Sequence, residues 1–239
     1  MTARLGGRAP ALAALACVAV LAARLIAATS TESLVARAWI EAGAALAAAC
    51  AVAALHARVD GEPFASALAL RRPAWQHVAG AWLLGPLLAT LVGTASLAAG
   101  ATGALAWARV LFVGLAAELL WRGAVQTDLE RRLPIGFAAL ATVALERASF
   151  PTSSPLWTTM AIGAALALAR ARSGSVVPAL ALRLAFALAT ALLEALPRVA
   201  PSITRAKWTA VSAILGAIGA SCFAFPPRRA AGTQASAAG

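Results

Sequence analysis

Apolar runs long enough to cross a lipid bilayer follow one another along almost the whole chain, with short polar connections between them. Such a crossing needs about 20 predominantly apolar residues, because a helix rises about 1.5 Å per residue across about 30 Å of hydrocarbon. The pattern predicts about eight spans, and so an all-α, polytopic transmembrane bundle. The spans are Pro10 to Ala28, Ala38 to His56, Gln76 to Gly100, Ala104 to Gln126, Pro134 to Phe150, Leu156 to Ala169, Val176 to Leu196 and Trp208 to Phe225.

The composition agrees with this pattern, since 62% of the 239 residues are hydrophobic and 12% are charged. The longest polar connection, Ala57 to Trp75, is too short for a soluble domain. We therefore expect a single integral membrane domain over residues 1–225, followed by a disordered cytoplasmic tail over residues 226–239, which are rich in Ala, Gly and Ser. Within the third span, Gly85-Pro86 predicts a kink.

The net charge of +11 reports orientation and not nucleic-acid binding, because the basic residues are dispersed at the ends of the apolar runs. Cytoplasmic connections carry an excess of Lys and Arg, so the side with more of them is the inner one. We expect both termini in the cytoplasm and the chain in the bacterial inner membrane. The arginines of the inner side are Arg4, Arg8, Arg58, Arg71, Arg72, Arg131, Arg132, Arg170, Arg172, Arg228 and Arg229.

Several enzyme classes are excluded by the residues that their sites require. The two histidines, His56 and His77, form no H-E-x-x-H zinc motif, and they provide no base for a Ser/His pair. The two aspartates, Asp60 and Asp128, fall in predicted connections and do not form a dyad within the spans. We expect no metal and no cofactor.

The residues that remain for chemistry are acidic and basic groups in the predicted fourth span. Glu118 precedes Arg122 at i, i+4, which is the favourable order for an ion pair on one helix face. A charge near the centre of a bilayer costs about 2.5 to 3.5 kcal/mol on insertion scales. An intramembrane pair is therefore a functional-site hypothesis, although the two charges can also simply neutralise each other.

Three segments in order carry a resemblance to a known family. Residues 117–123, Ala-Glu-Leu-Leu-Trp-Arg-Gly, resemble the E-E-x-x-x-R motif of the CPBP intramembrane proteases. Residues 174–183, Gly-Ser-Val-Val-Pro-Ala-Leu-Ala-Leu-Arg, are similar to the family's G-S-L-W-P-A-I-L-x-H, and residues 145–151 lie where the family has F-x-x-x-H. The family is related to the type II CAAX prenyl endopeptidases and includes bacterial immunity (Abi) proteins. The resemblance implies a CPBP-like core at about residues 104–196.

The chain departs from the family at every position that carries its chemistry. The resemblance implies that the catalytic glutamate position is Ala117, the two histidine positions are Ser149 and Arg183, and the asparagine position is Ala187. Alanine accepts no proton, and the pKa of arginine, above about 12, prevents proton exchange near neutral pH. We therefore expect a catalytically degenerate member, a pseudoenzyme that binds or regulates an active paralogue or a membrane-protein substrate.

Two other functions stay open at this point. An active endopeptidase would use Glu118 as general base, polarised by Arg122, with Glu146 as a second carboxylate. A small transporter would use the kink at Gly85-Pro86 and the buried charges. In the degenerate case the former catalytic cavity becomes an ion-pair cluster, with Arg183 and Arg122 both approaching Glu118, and Glu146 as the alternative acceptor.

Overall fold

The computed structural model describes most of the chain between residues 34 and 224. The described residues are 18, 21, 22, 25, 26, 29, 34–61, 63–92, 112–149, 156–199 and 205–224. Most of the predicted first span and the predicted disordered tail lie outside them. No β-strand occurs among the described residues, so the all-α prediction is confirmed for this part of the chain.

Each predicted span after the first overlaps a described helix, while residues 93–100 of the predicted third span and residues 104–111 of the predicted fourth span lie outside the described residues. We number the helices α1 to α8 in chain order. They are α1 (Leu34–Asp60), α2 (Phe64–Ala67), α3 (Trp75–Val92), α4 (residues 112–130), α5 (Ile135–Ser149), α6 (Leu156–Ser173), α7 (Val177–Val199) and α8 (Arg205–Ala224). Helix α4 is continuous, with a π-helical segment at Leu119–Val125 and a last α-helical turn at Gln126–Glu130.

Helix α6 extends beyond its apolar run, and its last turn is polar. The last turn of α6 carries Arg170 and Arg172, where cations interact favourably with the negative end of the helix dipole. Gly174, the first residue after α6, has a φ of +67°, and its N–H donates to the carbonyl of Arg170 at 2.9 Å. A left-handed glycine just past a helix is a common way to end it. This tight turn leads directly into α7.

Helix α3 is the centre of one half of the structure, where it packs against α7 and α8. A Cβ added at Gly85 would lie 2.6 Å from the backbone carbon of Ala185, so only glycine allows this approach of α3 to α7. Gly80 and Gly219 serve the same purpose between α3 and α8. Helix α3 stays one helix through Pro86, the residue after this contact.

Helix α4 is the centre of the other half, where its π-helical segment contacts α1, α5 and α6. Trp121 is fully buried in a cluster of small and branched side chains from α1, α2 and α4. The two halves meet where α6 packs against α7. Helix α4, which carries the motif residues 117–123, is therefore packed by other helices of its half on several sides. Most of the second motif segment, residues 174–183, lies on α7.

One described helix is long and apolar enough by itself to cross a membrane, over Ala206–Ala224 in α8. Trp39–Leu55 in α1 and Val177–Leu193 in α7 are shorter apolar stretches. By length and composition alone, this is weak support for a membrane bundle.

Candidate functional site

A stripe of small and polar residues runs along α4 at a spacing of four. Its members are Gly114, Glu118, Arg122, Gln126 and Glu130. The π-helical segment lies in the middle of this stripe, and the N–H of Gln126 donates to the carbonyl of Trp121, five residues earlier. A π-helical turn widens the helix and changes which side chains face a neighbour, and such turns are frequent at functional sites. The stripe divides into two clusters.

The first, the inner cluster, consists of Glu118, Arg122, Glu146 and Arg183. Arg122 is fully buried, and its Nη2 atom lies 2.5 Å from Oε2 of Glu146 on α5. The same nitrogen donates to the backbone carbonyl of Gly163 on α6 at 3.3 Å. A charge-assisted hydrogen bond this short is among the stronger polar interactions in a protein. Arg122 therefore ties α4 to α5 and α6.

Glu118 is also fully buried, yet it is held much more loosely. Its Oε2 atom lies 3.7 Å from Nε of Arg122, and its Oε1 atom lies 3.9 Å from Nε of Arg183. Both distances are too long for hydrogen bonds, and within the described part of the chain neither carboxylate oxygen has a hydrogen-bond partner. The convergence of Arg122 and Arg183 on Glu118 that we expected from the family resemblance is thus present, as two long ion pairs.

Arg183 reaches α4 from α7 across a glycine. A Cβ added at Gly114 would lie 2.9 Å from Nε and 3.6 Å from Cγ of Arg183, so the side chain lies directly over this residue. The Arg183 side chain is 26% exposed, in contrast to Glu118 and Arg122. Gly114 was not singled out by sequence reasoning, although its position four residues before Glu118 is a signal that could have identified it.

The other positions that the resemblance implies for catalytic residues, Ala117, Ser149 and Ala187, are buried. Ala117 and Ala187 are 4% and 2% exposed, respectively. Ser149 is buried at the end of α5, and its hydroxyl donates to the carbonyl of Leu145 in its own helix at 2.9 Å. Arg183 is the one member of this set that contacts Glu118. The structure therefore brings together Glu118, Arg122, Glu146 and Arg183, and it gives none of them a histidine partner among the described residues.

The second, the end cluster, consists of Gln126, Thr127, Glu130 and Arg170. Nη1 of Arg170 lies 3.2 Å from Oε2 of Glu130, and Nη2 donates to the hydroxyl of Thr127 at 2.8 Å. Nε2 of Gln126 donates to Oε1 of Glu130 at 2.8 Å and to the carbonyl of Ala167 at 3.1 Å. Sequence reasoning missed this cluster, because it treated Arg170 only as a marker of the cytoplasmic side.

No group of histidine, cysteine, aspartate and glutamate side chains in the described part of the chain could hold a metal ion. His77 is buried on α3, and its ring stacks on Phe223 of α8 at a centroid distance of 5.3 Å. This histidine therefore belongs to the packing of α3 against α8 and not to either cluster.

A comparison with protein families found a match to the model described as "Type II CAAX prenyl endopeptidase Rce1-like", over residues 99–189. Comparisons with curated proteins and with solved structures found no match. The matched region contains both stretches of motif residues and all four members of the inner cluster. The match supports the resemblance to the CPBP family that the motifs at residues 117–123 and 174–183 indicated, and it does so for residues 99–189 of the chain.

Proposed function

We propose that this protein is a multi-pass membrane protein of the CPBP family that has lost peptidase chemistry and acts by binding, in the regulation of membrane-protein processing. The observation that carries the proposal is the set of groups around Glu118. Its ion-pair partners are two arginines, and the equivalents of the family's base and asparagine are buried alanines. A general base needs a path for its proton, and a guanidinium does not accept one near neutral pH.

The proposed membrane placement rests on the arginine distribution and on the exposed surface of the helices. Large apolar side chains point outward on α5 and α8, among them Phe137, Leu140, Ile214 and Ile218. A continuous exposed apolar surface is expected where a helix faces lipid. We propose about eight spans in the bacterial inner membrane with both termini in the cytoplasm. Reporter fusions after Arg229 should give a cytoplasmic signal, and an external signal would refute this topology.

A peptidase assay tests the loss of chemistry. The purified full chain should not cleave CAAX-type peptides, prenylated or unprenylated, beyond the rate seen with the Glu118→Gln variant. Cleavage by the parent chain that Glu118→Gln abolishes, while the variant still elutes as a folded monodisperse species, would overturn the proposal.

A competing function is supported by one observation, the approach of two carboxylates to a single guanidinium. Glu146 lies 2.5 Å and Glu118 lies 3.7 Å from nitrogens of Arg122. An active endopeptidase could use such a pair of carboxylates as base and acid. The two functions differ in the expected role of Glu146: in an active enzyme Glu146→Gln would lower kcat in a folded protein, whereas in the binding protein it would change stability alone.

A further inference from the structure

We propose that the connection between α2 and α3 binds the anionic lipid headgroups of the inner membrane surface through Arg71 and Arg72. Its exposed apolar side chains, Leu70 and Trp75, lie in the same interface. The inference rests on the proposed membrane placement and adds a lipid partner to it.

Cationic and apolar side chains are exposed next to one another in this connection. Residues 70–74 are not helical, and α3 begins at Trp75. Arg71 and Arg72 are exposed, Leu70 is 42% exposed and Trp75 is 80% exposed. A bilayer interface accommodates both kinds of side chain, because arginine reaches the lipid phosphates while leucine and tryptophan enter the boundary below them. The connection therefore has the composition of a surface that lies on a membrane.

The contacts of this connection place it where predicted spans end. The N–H of Val176, the first residue of the predicted seventh span, donates to the carbonyl of Ala69 at 3.0 Å. The carbonyl oxygen of Leu68 would lie 3.0 Å from a Cβ at Gly123, which is in the last turn of the predicted fourth span. The third span is predicted to begin at Gln76, one residue into α3. The inner ends of three predicted spans thus meet at this connection, at the boundary where lipid headgroups lie.

The backbone of the connection is held by the second motif segment. The hydroxyl of Ser175 donates to the carbonyl of Arg71 at 2.7 Å, and the N–H of Val177 donates to the same hydroxyl at 3.2 Å. Ala69 is buried and has a φ of +51°, which a non-glycine residue keeps only where the surrounding structure holds it. A ligand that binds to Arg71 and Arg72 does not have to order this backbone, and this lowers the entropic cost of binding.

The charges around the connection favour an anion there. Arg71 and Arg170 are close enough for their positive charges to repel each other, and Arg170 already pairs with Glu130. Other exposed arginines of the proposed inner side are Arg58, Arg131, Arg132 and Arg172. An acidic protein segment would also supply negative charge, but it would have to cover Leu70 and Trp75 as well. A bilayer with anionic lipids does both, and it is therefore the favoured occupant.

Thermal unfolding of the full chain in lipid nanodiscs tests this surface. Discs of phosphatidylcholine alone are compared with discs of equal parts phosphatidylcholine and phosphatidylglycerol. Phosphatidylglycerol should raise the unfolding midpoint, and the double variant Arg71→Gln with Arg72→Gln should reduce this difference by about 4 to 8 °C.

The matched control is the double variant Arg131→Gln with Arg132→Gln, which removes another exposed arginine pair that precedes a predicted span. Arg132 lies 3.7 Å from Asp128 and is thus used within the chain. The control should therefore reduce the lipid difference clearly less than the loss of Arg71 and Arg72 does.

Hydrogen exchange in the same discs shows where the lipid acts. Phosphatidylglycerol should slow exchange in the peptide that covers residues 63–75. Arg71→Gln with Arg72→Gln should abolish this slowing, whereas Arg131→Gln with Arg132→Gln should retain it. Should the first double variant fail to fold, Arg72→Gln alone should lose about half of the midpoint effect, since each arginine near an anionic surface contributes separately.

Equal midpoints of the parent chain in the two kinds of disc, or equal losses for the two double variants, would overturn the surface. Polyglutamate added to phosphatidylcholine discs is the remaining arm. A shift there that requires Arg71 and Arg72, without an effect of phosphatidylglycerol, would assign the surface to an acidic protein segment and overturn the lipid proposal.

The lipid result is independent of the tests of the proposed function. Both leaflets of a disc contain the same lipids, so the result does not depend on which side of the membrane is cytoplasmic. Peptidase activity or an external signal from the reporter fusions would refute the proposed function and leave the lipid result as it stands, so the two failures are distinguishable.

Discussion

The two clusters on α4 are built from the same kinds of residues, yet they are held together very differently. In the end cluster, Glu130 receives a hydrogen bond from Gln126 at 2.8 Å and lies 3.2 Å from Arg170. In the inner cluster, Glu118 has two arginines at 3.7 and 3.9 Å and no hydrogen bond to either oxygen among the described residues. Of the two glutamates in the stripe on α4, Glu130 therefore accepts a hydrogen bond, whereas Glu118 accepts none from the described residues.

The difference shows that charge balance and hydrogen bonding are separate requirements. Glu118 and Glu146 are balanced by Arg122 and Arg183, but Arg122 gives its short contact to Glu146. A buried polar group without a hydrogen bond is destabilising by about 1 to 3 kcal/mol, and such groups persist mainly at sites with a function. In the end cluster, Oε1 of Gln126 and Nε of Arg170 also lack a hydrogen-bond partner among the described residues, but the carboxylate of Glu130 is hydrogen-bonded, so the two clusters differ in their carboxylates.

The largest expected effect is the loss of Arg122. Arg122→Leu leaves Glu118 and Glu146 buried near each other without their shared cation, and it should lower the free energy of unfolding by about 3 to 5 kcal/mol. Chemical unfolding in detergent provides the measurement. The double variant Arg122→Leu with Glu146→Leu should recover part of the loss. A change below about 1 kcal/mol for the single variant would show that the cluster does not tie α4 to α5.

A smaller effect is expected in the end cluster. Arg170→Leu removes the partner of Glu130 and Thr127, but the Glu130 side chain is 16% exposed and can be rehydrated. The free energy of unfolding should fall by about 2 kcal/mol, within the range for hydrogen bonds to charged groups. Arg172→Leu, two residues along at an exposed position, is the matched control and should change stability by less than about 0.5 kcal/mol. Equal losses for the two variants would contradict the assignment of a structural role to Arg170.

The long contact between Arg183 and Glu118 should be weaker again. Because Arg183 is 26% exposed, Arg183→Leu should cost about 1 to 2 kcal/mol. Combined with Glu118→Leu, the loss should be smaller than the sum of the two single losses, since the double variant removes both charges of the pair. Strictly additive losses in detergent unfolding would mean that the two side chains do not interact.

The smallest effect concerns the glycine below Arg183. The nearest described atoms that a Cβ at Gly114 would meet belong to the flexible Arg183 side chain, the first at 2.9 Å, and alanine favours the helix by about 1 kcal/mol. Gly114→Ala should therefore change stability by less than about 1 kcal/mol while reducing the coupling between Arg183 and Glu118. Gly85→Ala, whose Cβ would lie 2.6 Å from the Ala185 backbone, is the contrasting control and should be clearly destabilising. A severe loss for Gly114→Ala would show that Arg183 cannot move.

The sequence by itself determined the helices and the local part of the site, because both depend on residues close together along the chain. Apolar runs placed α1 and α3 to α8, and the spacing of Glu118 and Arg122 placed them on one face of α4. The family motifs also indicated that Arg183 would approach Glu118. These conclusions needed only periodicity and ordered motifs.

The tertiary structure decided how the charges are shared, which no local pattern encodes. The short contact of Arg122 with Glu146 spans two helices, and the space for Arg183 depends on Gly114 lying opposite it. The π-helical segment at Leu119–Val125 likewise has no pattern in the sequence that we recognised. The contacts between helices are a few ångströms long, and they are set only when the helices pack against one another.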